Sequence, residues 1–307
     1  ELGVGGVVAT FHHPEVRQLR LALGGETVSW HAPGGFRAPS LVNAEAQDGQ
    51  GFLAAMSGFL ATCGFDHTRQ PATDTVASPT FPGGRIAHPL HGHGAHQPAR
   101  LVGYGIDAAG THLWCDGEVV QSMLHYGALA LRRRIEMPIG GGAIAITDVL
   151  ENIGPTGMPA MMLYHLNVGH PLLGEGARLH LGPADDLWAS GAFDPRAPFG
   201  PPQPTQSAEL SLHRPHPVDG WARCRLANPA NGLVLEVAFE AATLPFLQHL
   251  KMRGRRCYMA AIEPCSTSHR EREAARAAGE VPVLAPGETR RFALRVALTR
   301  SSDPSQR

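Results

Sequence analysis

Leu233-Val234-Leu235-Glu236-Val237-Ala238-Phe239-Glu240 alternates: Leu233, Leu235, Val237 and Phe239 share one face, and Val234, Glu236, Ala238 and Glu240 share the other. A two-residue period is the mark of a strand with one face in a core. Asn231-Gly232 stands directly before it and supplies the residues that a tight hairpin turn needs. Residues 221–226 read as the hairpin partner. Outward from this stretch the same reading recurs. Residues 128–137 and 143–150 alternate around the reversal Pro138-Ile139-Gly140-Gly141-Gly142. Phe292, Leu294, Val296 and Leu298 alternate with Ala293, Arg295, Ala297 and Thr299 after a Pro286-Gly287 turn. Residues 18–23 and 26–30, around Gly24-Gly25, predict an opening hairpin. Helical signals are few. The best is a capping box, Ser268-His269-Arg270-Glu271, predicting a helix that runs to Ala278 and stops at Gly279. The expected fold is all-β, built of large antiparallel sheets, with residues 1–307 forming one domain. The Pro-rich stretch 195–204 is expected to be a surface loop rather than a boundary.

Composition narrows the function classes. The 307 residues carry 26 Lys+Arg against 27 Asp+Glu, a net charge of −1, which argues against a nucleic-acid partner. Charged residues make up 17%, while 36 Gly and 26 Pro indicate a folded chain rich in turns. No apolar run approaches the ~18 residues of a membrane span. The first ten residues, ELGVGGVVAT, lack a basic n-region, so no secretory leader is expected there. Five cysteines without a C-x-x-C pair favour reduced thiols and a cytoplasmic setting.

Three segments combine titratable side chains with turn or strand chemistry. In residues 88–99, HPLHGHGAHQPA, glycines beside His91 allow close backbone approach, and imidazole is readily poised near neutral pH. In residues 163–171, LYHLNVGHP, His165 and Asn167 fall on one face of a strand. In residues 258–264, YMAAIEP, Glu263 ends an otherwise apolar strand, where burial would suit a carboxylate to act as a base. Each has a plain alternative. A histidine in a Gly/Pro loop can be a surface hydrogen-bonder, His165 a satisfied core histidine, and Glu263 the ion-pair partner of Arg253 or Arg255. His91 and His93 also form an H-x-H pair near His88 and His96, a pattern open to a metal.

Taken in order, these segments resemble the aldose 1-epimerase (galactose mutarotase-like) superfamily, and more closely its DUF4432 branch. The resemblance runs from about Ser57 to the last strand. It includes Gly58-Phe59-Leu60-Ala61-Thr62-Cys63-Gly64, Pro89-Leu90-His91-Gly92, Asp148-Val149-Leu150-Glu151-Asn152 and Tyr164-His165-Leu166-Asn167. It continues through Leu244-Pro245-Phe246-Leu247-Gln248, Glu263-Pro264 and Leu284-Ala285-Pro286-Gly287-Glu288. It implies a β-supersandwich with a sugar cleft on one side. By that resemblance Glu263 is the general base on the anomeric hydroxyl, His165 the general acid to the ring oxygen, and His91 a contact near the reacting centre. His93, Asn167, Gln248, Phe246 and Trp30 are expected to bind the sugar, with Tyr164 a further candidate for stacking. Anomer exchange needs one proton accepted as another is given, so no cofactor and no metal is expected. The expected partner is a monosaccharide or sugar derivative, with a homodimer allowed. Two other readings are a non-catalytic sugar-binding or sensor domain, and a metal-dependent sugar isomerase or lyase using the cluster from His88 to His96.

Overall fold

The computed structural model describes residues 2–4, 7–12, 15–23, 26–35, 37–75, 84–139, 141–191, 193–205 and 208–300, with only backbone given up to residue 26. Two antiparallel sheets carry most of it. The wider sheet orders eight strands as Arg178–His180, Trp221–Ala227, Leu233–Glu240, Thr289–Arg300, Ala143–Asn152, Gly127–Pro138, His112–Met123 and Ala99–Ile106. The second orders six as Ala184–Ala189, Glu209–Pro215, Phe246–Gly254, Cys257–Cys265, Met161–Val168 and Leu60–Phe65. A four-stranded sheet at the start of the chain runs from Leu2–Val4 to Glu26–Thr27.

The period-two pattern explains the layers. Leu235, Val237 and Phe239 of the wider sheet meet Tyr164, Leu166, Leu247 and Ile262 of the six-stranded one in a single apolar core. Alternation in the six-stranded sheet then turns Ala61, Cys63, Leu163, Cys265 and Phe246 to the opposite face. There Phe52 and Ala95 from short helical turns, and Leu90 from a loop, cover them. The site lies on that outer face.

A buried ion pair lies between the two large sheets. Arg133 donates from Nε and Nη2 to Asp148 at 2.8 and 2.5 Å, and the Tyr164 hydroxyl donates to the same carboxylate at 2.6 Å. Arg133, Asp148 and Tyr164 are all 3% exposed or less. Such a pair is tolerated because each charge meets an opposite one and several hydrogen bonds.

Two local expectations are corrected. Asn231-Gly232 is not a two-residue turn: the loop closes between Asn228 and Leu233, and only Gly232 takes a positive φ, +73°. The capping box does not form, and the helix is Arg272–Ala277. Ser268 instead gives its N–H and hydroxyl to Glu280, at 2.7 and 2.6 Å, leaving nothing to cap with. The opening hairpin pairs Leu23 with Glu26, while Gly24, Gly25 and Gly140 of the predicted turns lie outside the described residues. Among the described residues no helix is long and apolar enough to cross a membrane.

Candidate active site

One row of the six-stranded ladder gathers residues far apart in the chain. Ala61 pairs with His165, Gln248 with Glu263, and Leu212 with Gln248. Between the pairs Leu163↔Cys265 and Leu166↔Ile262, the count places His165 opposite Glu263. Opposed residues of an antiparallel ladder project to one face. Register alone therefore sets His165, Glu263 and Gln248 side by side in the floor of a cleft of about 260 Å³. That is the small end of ligand cavities, which run ~300–1,000 Å³.

Glu263 is wholly buried. Its Oε2 accepts from Gln248 Nε2 at 2.6 Å, while Oε1 accepts no hydrogen bond among the described residues and lies 3.4 Å from His165 Nε2. Neither Arg253 nor Arg255 is its partner; Arg253 lies against Glu209. The Gln248 amide is oriented by its neighbours: its oxygen accepts from Arg69 Nη1, so its nitrogen must face the carboxylate. Arg69 also donates to the Thr267 carbonyl at 2.6 Å and to Cys265 Sγ. A relay from guanidinium through amide to carboxylate results.

His165 is held by Asn167. The Asn167 amide nitrogen donates to the Gly58 carbonyl at 3.2 Å, so its Oδ1 is the atom that meets His165 Nδ1, at 2.7 Å. Oδ1 can only accept, which puts a proton on Nδ1 and aims Nε2 at the cleft. When the ring is protonated, the Nε2 proton faces the same space as Glu263 Oε1.

His91 sits in a left-handed turn, φ +63°, followed by Gly92 at +79°. A Cβ on Gly92 would lie 2.2 Å from the His67 carbonyl oxygen, so the turn requires glycine. His91 N–H donates to the Arg69 carbonyl at 2.8 Å, and its own carbonyl accepts from Gly64 at 2.7 Å. These bonds hold a backbone that an L-residue rarely adopts. The ring meets that of His165 edge-on, with centroids 5.8 Å apart. Burial, then the nearby His165 and Arg69, lower its pKa well below the usual 6.5, so the ring is neutral.

Of the expected sugar contacts, Gln248 lines the cleft and Asn167 acts behind His165. The other three do not line it. Phe246 shares a face with Gln248 but lies under the Arg214 guanidinium, 5.3 Å from its ring. Trp30 is tied through its backbone to Asn167 and Gly58 beside the cleft. His93 turns to Asp66, 2.8 Å away. Tyr164 faces the core. The cleft wall is instead aliphatic, with Leu53, Met56, Leu250, Met252 and Met259. Arg69 is the site residue that sequence patterns did not single out; it follows the strand Leu60–Phe65 in an aperiodic loop.

His93 belongs to a second cluster with Asp66 and His88, whose ligand-type atoms lie within 4.8 Å of one another. His88 also approaches Asp74, at 3.3 Å. Arg272 and Arg276 donate to Asp74 at 2.6 and 2.8 Å, and Arg272 reaches the Asp66 carbonyl. Burial opposes charge on His88, but Asp66 and Asp74 outweigh it and raise its pKa. Burial likewise opposes charge on Asp66, yet His88 and His93 hold its carboxyl well below the usual range. Two guanidiniums and an imidazolium already balance the two carboxylates, so these groups fit a divalent cation poorly. His91, on the cleft side, is not part of the cluster.

The two-sheet antiparallel sandwich with a cleft on the outer face of one sheet matches the galactose mutarotase-like fold. Residues 17–298 match the family model described as "Domain of unknown function (DUF4432)", and the chain belongs to that family. Its structure is similar to that of a Klebsiella pneumoniae protein provisionally described as an aldose 1-epimerase. The TM-score is 0.84 at 23% identity, over 98% of this chain and 78% of that one. It is also similar to a galactose mutarotase-like protein from Clostridium acetobutylicum, TM-score 0.68 at 14% identity over 98% and 94%. A GalM/aldose epimerase homologue from C. elegans gives 0.63 at 13%, over 97% of both chains. No curated protein matches the sequence.

Proposed function

We propose that this protein is a cofactor-independent sugar mutarotase, acting on a monosaccharide or sugar derivative by ring opening and reclosure. The observation that carries the reading is Glu263 Oε1, a buried carboxylate oxygen with no hydrogen bond, 3.4 Å from His165 Nε2 at the cleft. The two oxygens that exchange protons, O1 and the ring oxygen, are bonded to one carbon. Base and acid must therefore lie close together, as these do.

Glu263 Oε1 takes the O1 proton while His165 Nε2–H protonates the ring oxygen. The C1–O bond of the ring breaks and C1=O1 forms. Rotation about C1–C2 presents the other carbonyl face. On reclosure the proton on Glu263 returns to O1, and His165 recovers its own from the ring-closing hydroxyl. Neutral His91 offers a hydrogen bond near the reacting centre without competing for the proton. The methionine and leucine wall receives the C–H face of the sugar. The five cysteines form no disulfide, which suits a reducing compartment.

The test is Glu263→Gln, which keeps the shape and removes the base. Anomer exchange measured by NMR on a panel of aldoses should fall by about 10²–10⁴-fold, with circular dichroism unchanged. Wild-type exchange in the variant across the panel would overturn the assignment.

A further inference from the structure

The cleft does not end at Gln248. Leu210, Leu212 and Arg214 lie on one face of Glu209–Pro215; Leu210 lines the cleft, and the other two line an adjoining hollow of about 540 Å³. Leu187, Trp188, Ser268, His269 and Arg270 complete that hollow, and Arg270 borders both spaces. The lining of the hollow contains no carboxylate.

Two cations there are positioned but have no carboxylate partner among the described residues. Arg214 is exposed and stands over the Phe246 ring at 5.3 Å. Asp185, its cross-strand partner, bonds His216 at 2.9 Å instead, and Asp186 pairs with Arg196 and His213. Arg270 is exposed and stands over Trp188 at 5.4 Å. The segment presenting it is pinned on both sides. Glu280 holds Ser268 and His269, and buried Arg272 is anchored by Asp74 and the Asp66 carbonyl. Glu280 is engaged there, leaving Arg270 no carboxylate partner among the described residues. Aromatic faces hold a guanidinium in place without discharging it, and guanidinium forks suit oxyanions.

Resting on the mutarotase reading, we propose that the substrate is an anionic sugar, whose carboxylate, phosphate or sulfonate is received by Arg214 and Arg270. Phe246 lies two residues beyond Gln248 on the same strand face, about 7 Å away. A ring with C1 at Glu263 and His165 thus directs its far substituent at the two guanidiniums.

The experiment compares glucose, glucuronate and glucose 6-phosphate, by NMR exchange and by calorimetry, with wild type, Glu263→Gln and Arg214→Gln/Arg270→Gln. At least one anionic sugar should bind about tenfold or more tighter than glucose. That preference should survive in Glu263→Gln, weaken with salt, and collapse in the double arginine variant through KM rather than kcat. Equal affinity for all three sugars in wild type, or an undiminished preference in the double variant, would overturn the inference. A retained binding preference without any exchange in wild type would uphold the anion site while sinking the mutarotase assignment.

Discussion

Gln248 offers the sharpest test of how the base is prepared. Its amide gives Glu263 Oε2 the one hydrogen bond that this buried carboxylate accepts, at 2.6 Å, and takes one from Arg69. Gln248→Leu removes both at nearly constant volume. Hydrogen bonds to charged groups contribute ~1.5–3 kcal/mol. At 1.36 kcal/mol per factor of ten, anomer exchange at pH 7 should fall about 10- to 10²-fold. Gln248→Glu keeps an acceptor for Arg69 but sets a second carboxylate against Glu263, and should cost no less. The assay is anomer exchange at pH 7 with a neutral aldose, with circular dichroism to confirm the fold. Wild-type exchange in both variants would refute the relay.

The remaining predictions concern stability. His249 is wholly buried between Phe193 and Phe199 with neither ring nitrogen hydrogen-bonded, and burial lowers its pKa to about 3. The unfolded chain binds that proton below pH 6.5 and the folded one does not, so stability is lost as pH falls from 6.5 towards 3. His249→Leu should raise stability at neutral pH by about 1–2 kcal/mol and flatten the acid slope by up to ~1.4 kcal/mol per pH unit, measured by urea unfolding between pH 4 and 7. An unchanged slope would count against a neutral buried ring. His88 titrates in the opposite sense: its contribution is complete below pH 6.5 and is lost as pH rises through its raised folded pKa. Arg133→Met, which strands Asp148 in the core, should destabilise by about 3–5 kcal/mol, and adding Asp148→Leu should recover much of that. Thermal melts of the two variants decide it.

The sheets were legible because alternation survives wherever one strand face meets the core, as in residues 233–240 and 292–298. His165 and Asn167 could be assigned to one face for the same reason. Their meeting with Glu263 could not be read, because it depends on the register of strands nearly a hundred residues apart. His91 and His93 look alike two residues apart; the left-handed turn at His91-Gly92 sends one ring to the cleft and the other to Asp66. Arg69 lies in a loop with no period to betray it. The expected aromatic platform became aliphatic because Phe246 is capped by Arg214 and Tyr164 is drawn into the core by Asp148. The lining row Gln248, Leu250, Met252 was, by contrast, present in plain alternation along one strand.

Met161–Val168 is buried along its whole length and serves two masters: Tyr164 and Leu166 knit the sandwich together, while His165 lines the cleft and Asn167 holds it from behind. A shift of one residue would exchange these sets, so the register of this strand is fixed. Changes in what the cleft accepts are thereby channelled to the rim. The segment around Arg270 has its own anchors in Glu280 and Asp74, and can be rewritten there without touching Glu263 or His165.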